Sequence, residues 1–369
     1  MMFFVGTLLF FMLVYSELIF LMSIGWRKLK TYQLPTKIDY SLYDFYTTII
    51  VPFKNEENQL PKLLASLLKQ SYPKELFEVV FVNDNSTDNG KEVLEAAIGD
   101  RGNYRVIDSD GEGKKRALKQ GIDKAMGQLI VSLDADCTMG PNWLKALCTY
   151  YQQYKPKMIV GPVTIKPKGF FAQLQALEFL SLASSTAACL GWKHPIMANG
   201  ANLVYERSLY YEWEDPFNNK EISGDDLFLL HKVKQKYRLK IHFIKSLHAQ
   251  VRTQASSGLQ DFFSQRKRWV SKSFSYTDTD TIVVALIVLL ANLTILTTSV
   301  AYFIDAGYLN LLIFLMVLKA ITDFFIILKA ARFYSQKWLL LWFLPMQFIY
   351  PIYVLTAVVS GLFGKKKWA

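Results

Sequence analysis

Two aspartates, Asp134 and Asp136, follow directly on a short apolar run at residues 129–133. Such a run predicts a buried parallel strand, and open α/β sheets bind their ligands at the carboxyl ends of such strands. Side chains two residues apart on an extended chain lie on the same side of the backbone. The pair therefore indicates a metal site, and hard oxygen donors favour Mg²⁺ or Mn²⁺. The simpler alternative is an exposed loop with helix-capping acids.

A second acidic pair, Asp225 and Asp226, stands between Gly224 and an apolar run at residues 227–230. Acids are also favoured in the first turn of any helix by its dipole. Because adjacent carboxylates repel, one of them acquires a raised pKa that suits proton abstraction. The pattern leaves both interpretations open, and it makes Asp226 and Asp225 candidates for a general base.

Two further polar segments lie at predicted strand ends. Asp84 follows the run at 78–82 and is placed to accept a ligand hydrogen bond, whereas residues 85–88 are typical of turns and helix caps. The glycine-rich segment 110–115 does not fit the GxxxxGK[ST] phosphate loop. A turn and helix start explains it, and Lys114 or Lys115 could still reach a diphosphate.

The elements that must position these residues alternate between strand and helix patterns from residue 31 to about residue 280. Strand-like runs at 46–51, 78–82, 104–107 and 129–133 are separated by helical spacing at 60–68, 89–98 and 114–126. Repeated strand–helix–strand units predict an α/β fold with a mostly parallel sheet and helices on both faces.

Composition points to a membrane rather than to nucleic acid. The chain has 369 residues, is 51% hydrophobic and carries a formal net charge of +11. With apolar segments at both ends, this charge favours an anionic bilayer surface or a phosphate-bearing ligand. The three cysteines form no CxxC pair, which argues against a disulfide framework or a zinc site and fits a reducing cytosol.

Four apolar stretches are long enough to enter a bilayer. Residues 1–26 predict an uncleaved anchor, and the basic residues that follow place the next domain on the cytoplasmic side. Two further spans are expected at 281–304 and 308–328. The fourth stretch, 338–363, contains Pro345 and Pro351 and is either a proline-kinked span or a re-entrant hairpin. The hairpin is favoured because it keeps the basic residues Lys365, Lys366 and Lys367 inside.

A basic segment with interleaved aromatic residues, 256–278, precedes these spans and contains the sequence Gln-Arg-Lys-Arg-Trp at 265–269. The pattern is typical of an amphipathic helix that lies on a membrane. Its functional interpretation adds Arg268 as a diphosphate ligand and Trp269 as a wall of the acceptor site, and the two interpretations are compatible.

In this order, the motifs resemble glycosyltransferase family 2, in its inverting, membrane-associated branch with the GT-A nucleotide-sugar fold. Residues 51–57, with Pro52, Asn55 and Glu56, match the first nucleotide-binding loop, and 83–88 match Asp-Asp-x-Ser-x-Asp with Asn83 in place of the first acid. Asp134-Ala135-Asp136 matches the metal motif. The remaining matches are the acceptor-side residues Asn199 and Gly200, the pair Asp225-Asp226, and the QxxRW residues Gln265, Arg268 and Trp269.

The resemblance implies a metal-dependent inverting transfer from a nucleotide sugar, with a UDP-sugar favoured. Asp84 would bind the base, Asp134 would lie near the ribose and Asp136 would hold the metal. Asp226 would act as base, and Lys114, Gln265, Arg268 and Trp269 would contact the donor. The acceptor would be a lipid or lipid-linked glycan.

The expected organisation is an anchor at 1–26, a cytoplasmic GT-A domain at 31–255, an interfacial segment at 256–278 and a membrane region at 279–369. The protein would lie in the inner membrane as a multi-pass protein, bind no nucleic acid and be able to form oligomers.

Three other functions stay open. A processive polysaccharide synthase of the same family is favoured by QxxRW, although few spans are available for a polymer channel. A haloacid dehalogenase-type phosphatase would use Asp134 as a phosphorylated nucleophile in DxDx[TV], but it leaves the Asp84 segment and QxxRW unexplained. A non-catalytic scaffold would leave the acidic positions without a role.

Overall fold

The computed structural model describes residues 2–363 and divides the chain into two compact units. The sheet unit comprises Lys30–Lys166 and Met197–Gln254. The apolar unit comprises, among the described residues, 2–29, Pro167–Ile196 and 255–363. The segment Pro167–Ile196 thus belongs with the apolar helices, which differs from the continuous catalytic domain that the sequence suggested over 31–255.

The helices, in chain order, are α1 (Met2–Lys28), α2 (Leu60–Leu68), α3 (Gly90–Ile98), α4 (Lys114–Lys124), α5 (Trp143–Tyr154), α6 (Phe170–Gly191), α7 (Ser208–Tyr211), α8 (Asp225–Tyr237), α9 (Leu259–Ser273), α10 (Thr279–Ile304), α11 (Leu309–Phe333) and α12 (Phe343–Phe363). The strands are β1 (Thr47–Phe53), β2 (Phe77–Asn83), β3 (Tyr104–Asp108), β4 (Leu129–Ser132), β5 (Thr138–Met139), β6 (Met158–Val160), β7 (Val163–Ile165), β8 (Leu203–Glu206), β9 (Ile241–Phe243) and β10 (Val251–Thr253).

The sheet unit is built on a seven-stranded sheet in the order β3-β2-β1-β4-β8-β6-β9. β3, β2, β1 and β4 are parallel, β8 is antiparallel to β4 and β6, and β9 is parallel to β6. Strands β5, β10 and β7 form a second, three-stranded sheet. The predicted α/β fold with a mostly parallel sheet is confirmed.

Register explains why the loops after β1 and β2 meet. β1 and β2 pair along their whole length, from Thr47 opposite Phe77 to Phe53 opposite Asn83, and every residue of both is buried. β4 pairs with β1 only as far as Ile50, which lies opposite Ser132. Pro52, which has no N–H, therefore lies past the end of the β4 ladder and leaves no hydrogen bond unmade there.

One local prediction about the DAD segment was wrong. β4 ends at Ser132, and the Cys137 N–H donates to the Asp134 carbonyl at 3.2 Å, so Asp134, Ala135 and Asp136 lie in a turn and not on an extended chain. The chain turns there because pairing with β1 has stopped before these residues.

Among residues 2–363, four helical stretches of the apolar unit are long and apolar enough to cross a membrane: Met2–Lys28, Thr279–Ile304, Ala306–Phe333 and Lys337–Leu362. The hairpin favoured for the last stretch is wrong for the described residues, because α12 continues through Pro351 as one helix. Pro345 lies in its first turn, where a missing N–H costs nothing. Lys365, Lys366 and Lys367 lie outside the described residues.

Two groups of buried charged side chains inside the apolar unit are paired. Arg266 of α9 donates to Glu178 of α6 at 2.5 Å and to Tyr353 of α12 at 3.0 Å, and both charged groups are buried. In the same unit, Lys319 and Tyr15 both donate to Asp323, at 2.7 and 2.6 Å. Such pairing offsets the cost of removing charges from water.

Candidate active site

Two loops at the carboxyl edge of the sheet are tied together by side chains. Asn55 has a positive φ of 55°. Its Oδ1 accepts the Thr87 N–H at 2.7 Å, and its own N–H donates to Ser86 Oγ at 3.1 Å. The Glu57 N–H likewise donates to Asp88 Oδ2 at 2.9 Å. The predicted nucleotide-binding segments after β1 and β2 therefore form one cross-linked edge.

Asp84 lies at the end of β2 and is buried. Its Oδ1 accepts the N–H of Gly113, the residue before α4, at 2.7 Å. Gly113 has a φ of 98°, a backbone conformation that glycine adopts without strain. Asp84 thus joins the glycine-rich segment to the nucleotide-binding edge.

Asn83, the residue that departs from the acidic motif, has a local role. Its Nδ2 donates to Asp108 Oδ1 at 3.0 Å, and its Oδ1 accepts the Ser86 N–H at 3.0 Å. Asp108 also accepts from Lys91 at 2.6 Å. Lys91 and then Asn83 hold the pKa of Asp108 below its ordinary value. An amide at position 83 serves as a donor to Asp108, which a carboxylate could not do.

Three carboxylates form a cluster above the end of β4. Burial, followed by repulsion from Asp136 and Asp134, raises the pKa of Glu56 to about 7. Burial and then the neighbouring Asp134 also raise the pKa of Asp136, although Asp136 accepts from Thr253 Oγ1 at 2.5 Å. The cluster has more negative charge than its own hydrogen bonds offset.

This donor set fits Mg²⁺ or Mn²⁺. Within residues 2–363, no group of three or more His, Cys, Asp or Glu side chains forms a ready-made metal cage. Mg²⁺ is commonly held by one or two carboxylates together with substrate phosphates and water. Asp134 and Asp136 offer such carboxylate oxygens, and a cation would relieve the repulsion that raises the pKa of Asp136.

Lys114, the first residue of α4, connects the two acidic pairs. Its Nζ donates to Asp134 Oδ1 at 2.6 Å. Burial would lower the pKa of Lys114, but Asp134, Asp225 and Asp226 outweigh it and raise that pKa above its ordinary value. The lysine charge therefore lies between the DAD turn and the start of α8.

The predicted acceptor-side segment contacts Asp226 through Gly200. The Gly200 N–H donates to Asp226 Oδ2 at 3.0 Å, and Asn199 Oδ1 accepts the Ala201 N–H at 3.0 Å. A Cβ atom at position 200 would lie 3.4 Å from Asp225 Oδ2 and 3.5 Å from Lys114 Nζ. The predicted acceptor segment, the predicted base and the lysine are thus neighbours.

The QxxRW residues lie on α9 in the apolar unit. Gln265 Oε1 accepts from Arg266 Nη1 at 2.5 Å, and the Arg266 guanidinium lies 4.2 Å from the centre of the Trp269 ring. Burial lowers the pKa of Arg268. Gln265 and Trp269 are therefore held by Arg266, a residue that the motif itself does not specify.

The sequence did not reveal the roles of two residues of the sheet unit. Thr253 reaches Asp136 from β10, and nothing in its own surroundings in the sequence signals this. Lys115 was a candidate for diphosphate binding, but its Nζ donates to three backbone carbonyls of the segment before α8, between 2.7 and 2.8 Å. The diphosphate role suggested for Lys115 is therefore wrong, because its donors are already used.

Comparison with known proteins finds a family match over part of the chain. Residues 48–213 match the sequence profile of "Glycosyl transferase family 2". Glycosyltransferase AglE of Haloferax volcanii is 30% identical over 184 residues, which are 49% of this chain and 59% of that protein. Dolichyl N-acetyl-alpha-D-glucosaminyl phosphate 3-beta-D-2,3-diacetamido-2,3-dideoxy-beta-D-glucuronosyltransferase of Methanococcus voltae is 25% identical over 203 residues, 53% of this chain and 63% of that protein. The chain thus spans less than two thirds of the length of each of these two relatives.

A solved structure supports the fold over nearly the whole chain. Mannosyltransferase PcManGT from Pyrobaculum calidifontis, in complex with GDP-Man and Mn²⁺, matches with a TM-score of 0.59 at 17% identity. The match covers 98% of this chain and 100% of that chain. At this identity the similarity shows a common GT-A fold.

Proposed function

The chain belongs to glycosyltransferase family 2, and from this premise we propose that it moves a sugar from a nucleoside diphosphate sugar to a lipid or lipid-linked glycan. A UDP-sugar is the favoured donor, and the reaction takes place at the cytoplasmic face of the membrane. Membership of this family argues against the two alternatives of a phosphatase and a non-catalytic scaffold.

The observation that carries this proposal is the arrangement of charge within the sheet unit. Lys114 donates to Asp134, one of the two proposed metal ligands. Its charge also interacts with Asp226, the proposed base. Gly200 joins Asp226 from the acceptor side. A donor diphosphate, a cation and an acceptor hydroxyl each have a matching group within this cluster.

The residues act in the following roles. The edge that holds Pro52, Asn55 and Glu56 binds the nucleoside together with Asp84, and Asp134 lies near the ribose. Asp134 and Asp136 would hold Mg²⁺ or Mn²⁺, which when bound offsets negative charge on the departing diphosphate. Lys114 adds a fixed positive charge beside Asp134.

Asp226 takes the proton from the acceptor hydroxyl as that oxygen attacks the anomeric carbon. The Gly200 and Leu227 N–H groups donate to its two oxygens, at 3.0 and 2.8 Å, and fix the orientation of the carboxylate. General-base catalysis of this kind contributes on the order of 10²–10⁴ in rate. A donor or acceptor role for Gln265, Arg268 and Trp269, which lie in the apolar unit, stays a prediction from the sequence.

Two observations support a lipid-linked acceptor. The described part of the apolar unit contains four helices of membrane-spanning length. The name of the Methanococcus voltae relative includes a dolichyl-linked sugar phosphate, and a further relative, 32% identical over 103 residues, is named undecaprenyl-phosphate 4-deoxy-4-formamido-L-arabinose transferase, of Proteus mirabilis. Processive synthesis is the second candidate, because Gln265, Arg268 and Trp269 fit QxxRW.

The proposal is tested with detergent-purified protein, Mn²⁺ and radiolabelled UDP- or GDP-sugars, with undecaprenyl or dolichyl phosphate as acceptor. We expect label to enter the organic phase as a single product when one of these acceptors is present. A polymer on a denaturing gel would instead support processive synthesis. No acceptor-dependent transfer and no polymer from any donor would contradict the proposed function.

A further inference from the structure

The 212–224 loop, which connects α7 to α8, delivers Asp225 and Asp226 to the site. It contains no regular helix or strand, and Asn218 and Gly224 have positive φ angles of 52° and 92°. Irregular connections have few backbone hydrogen bonds of their own, so other groups must hold them in one conformation.

The ammonium group of Lys115 holds the 212–224 loop by hydrogen bonds to its backbone. Its Nζ donates to the carbonyls of Phe217 at 2.7 Å, Asn218 at 2.8 Å and Glu221 at 2.8 Å. An ammonium group has three N–H donors, and three carbonyl oxygens accept them. The side chain is only 7% exposed, and Nζ also lies 5.1 Å from the centre of the Phe228 ring in α8.

The two consecutive lysines at the start of α4 therefore have different tasks. Lys114 contacts Asp134, whereas Lys115 holds the backbone of the loop that ends at Asp225. Gly113, immediately before them, is held by Asp84. The first turn of α4 is thus fixed to the nucleotide-binding edge on one side and to the 212–224 loop on the other.

We propose that Lys115 is a positioning residue for transfer: its ammonium group clamps the 212–224 loop and thereby fixes Asp226 relative to the nucleotide-binding edge. This role rests on the proposed function of Asp226. Lys115 contacts neither donor nor acceptor, so it acts on the turnover step and not on nucleotide affinity.

Lys115→Met tests the clamp, because it keeps the length of the side chain and removes all three donors. Lys119→Met is the matched control. Lys119 lies one turn further along α4 and pairs with Asp123 of the same helix at 2.5 Å, so this change leaves the loop untouched.

The first readout is trypsin cleavage after Lys220, an exposed residue of the loop. Proteolysis of a transiently open segment follows the population of its open form, so we expect Lys115→Met to be cleaved on the order of tenfold faster than the wild type. Lys119→Met should be cleaved at the wild-type rate. Equal rates in the two variants would overturn the clamp.

The second readout separates positioning from general loss of structure. A displacement of about 1 Å can cost on the order of 100-fold in rate, so we expect kcat in Lys115→Met to fall by about that order. The dissociation constants of UDP and GDP with Mn²⁺ should stay within about twofold, since their contacts lie on other loops. Lys115→Arg, which keeps a cation and N–H donors, should recover part of kcat.

A parallel loss of nucleotide affinity and kcat would overturn the positioning role. If Lys115→Met does not give folded protein, Lys115→Gln, whose amide has two N–H donors in place of three and no charge, and Lys119→Gln are compared by the same cleavage assay, where equal rates would again overturn the clamp. A wild-type protein without any nucleotide binding would contradict the proposed function, while cleavage at Lys220 would still decide whether the clamp exists.

Discussion

At the scale of single residues, the site depends on pairing each hydrogen-bond donor with an acceptor. Asn83 stands where the family pattern has an acid, and its amide donates to Asp108. The amide provides a hydrogen bond next to the nucleotide-binding edge that an ionised acid could not donate. The amide at position 83, where the family pattern has an acid, is therefore explained by its neighbour Asp108. The adjacent Asp84 has its own contact with Gly113.

Asn83→Asp tests this interpretation. The change replaces a hydrogen bond with repulsion, so we expect the free energy of unfolding to fall by about 1–2 kcal/mol at neutral pH. The deficit should shrink as the pH drops below about 4, because carboxylates become protonated there. Urea unfolding across pH measures both effects. The double variant Asn83→Asp/Asp108→Asn should restore most of the stability, and its failure to do so would rule out repulsion as the cause.

Asp226→Asn tests the assignment of the base. An amide keeps nearly the same shape but accepts no proton, so we expect kcat to fall on the order of 10²–10⁴-fold. Nucleotide binding should be nearly unchanged. Asp225→Asn is the comparison, since Asp225 is the adjacent acid that faces Lys114. A larger loss of kcat in Asp225→Asn than in Asp226→Asn would assign the base to Asp225 instead.

At the scale of elements, two close backbone contacts at the crossing of α1 and α6 show how these helices are packed. A Cβ atom on Gly25 of α1 would lie 2.2 Å from the Ala188 carbonyl oxygen of α6, and one on Gly191 would lie 2.0 Å from the Gly25 carbonyl oxygen. Helices that approach this closely require small residues at the contact. The crossing therefore fixes α6 against α1.

Gly25→Leu should disrupt this crossing. We expect a loss of about 1–3 kcal/mol or more of stability, because the added side chain has no space. Gly6→Leu is the matched control in the same helix, since no atom lies within 4 Å of a Cβ there. Thermal unfolding in detergent compares the two. A melting temperature for Gly25→Leu equal to that of Gly6→Leu would contradict the tight crossing.

The elements also show how far the sequence alone could predict the fold. The first strand–helix–strand repeats were confirmed within a few residues, since their apolar periodicity is clear; the helix predicted at 60–68 is α2, Leu60–Leu68. Helix α6 was not recognised, because its apolar residues are not arranged on one face and it lies inside the presumed soluble region. The antiparallel strand β8 was also missed, because four residues carry too little pattern.

The site was predictable only in part, for a related reason. Acids at strand ends and helix starts, such as Asp84, Asp134 and Asp226, follow from local rules. Contacts that depend on distant register do not: Thr253 reaches Asp136 from 117 positions away, and Lys115 meets carbonyls about a hundred positions later. A backbone carbonyl has no sequence signature, so the clamp could be found only in the structure.

At the scale of the whole molecule, the charged residues of the candidate site and the long apolar helices belong to different units. The sheet unit gathers the acids and the lysine of the site, whereas the apolar unit supplies four helices of membrane-spanning length and buries its own ion pairs. The chain has a net charge of +11, which suits a protein that binds diphosphates at an anionic membrane surface. This division supports the proposal of a soluble donor and an acceptor in the lipid phase.

The most direct test of a metal-dependent nucleotide-sugar site is thermal stabilisation of the detergent-purified protein by UDP, GDP, CDP and ADP, with and without Mn²⁺. A ligand at about 100 times its dissociation constant adds about 2.7 kcal/mol. We expect a shift with one nucleotide that requires Mn²⁺ and is lost in Asp136→Ala. No shift with any nucleotide, or an equal shift in Asp136→Ala, would contradict it.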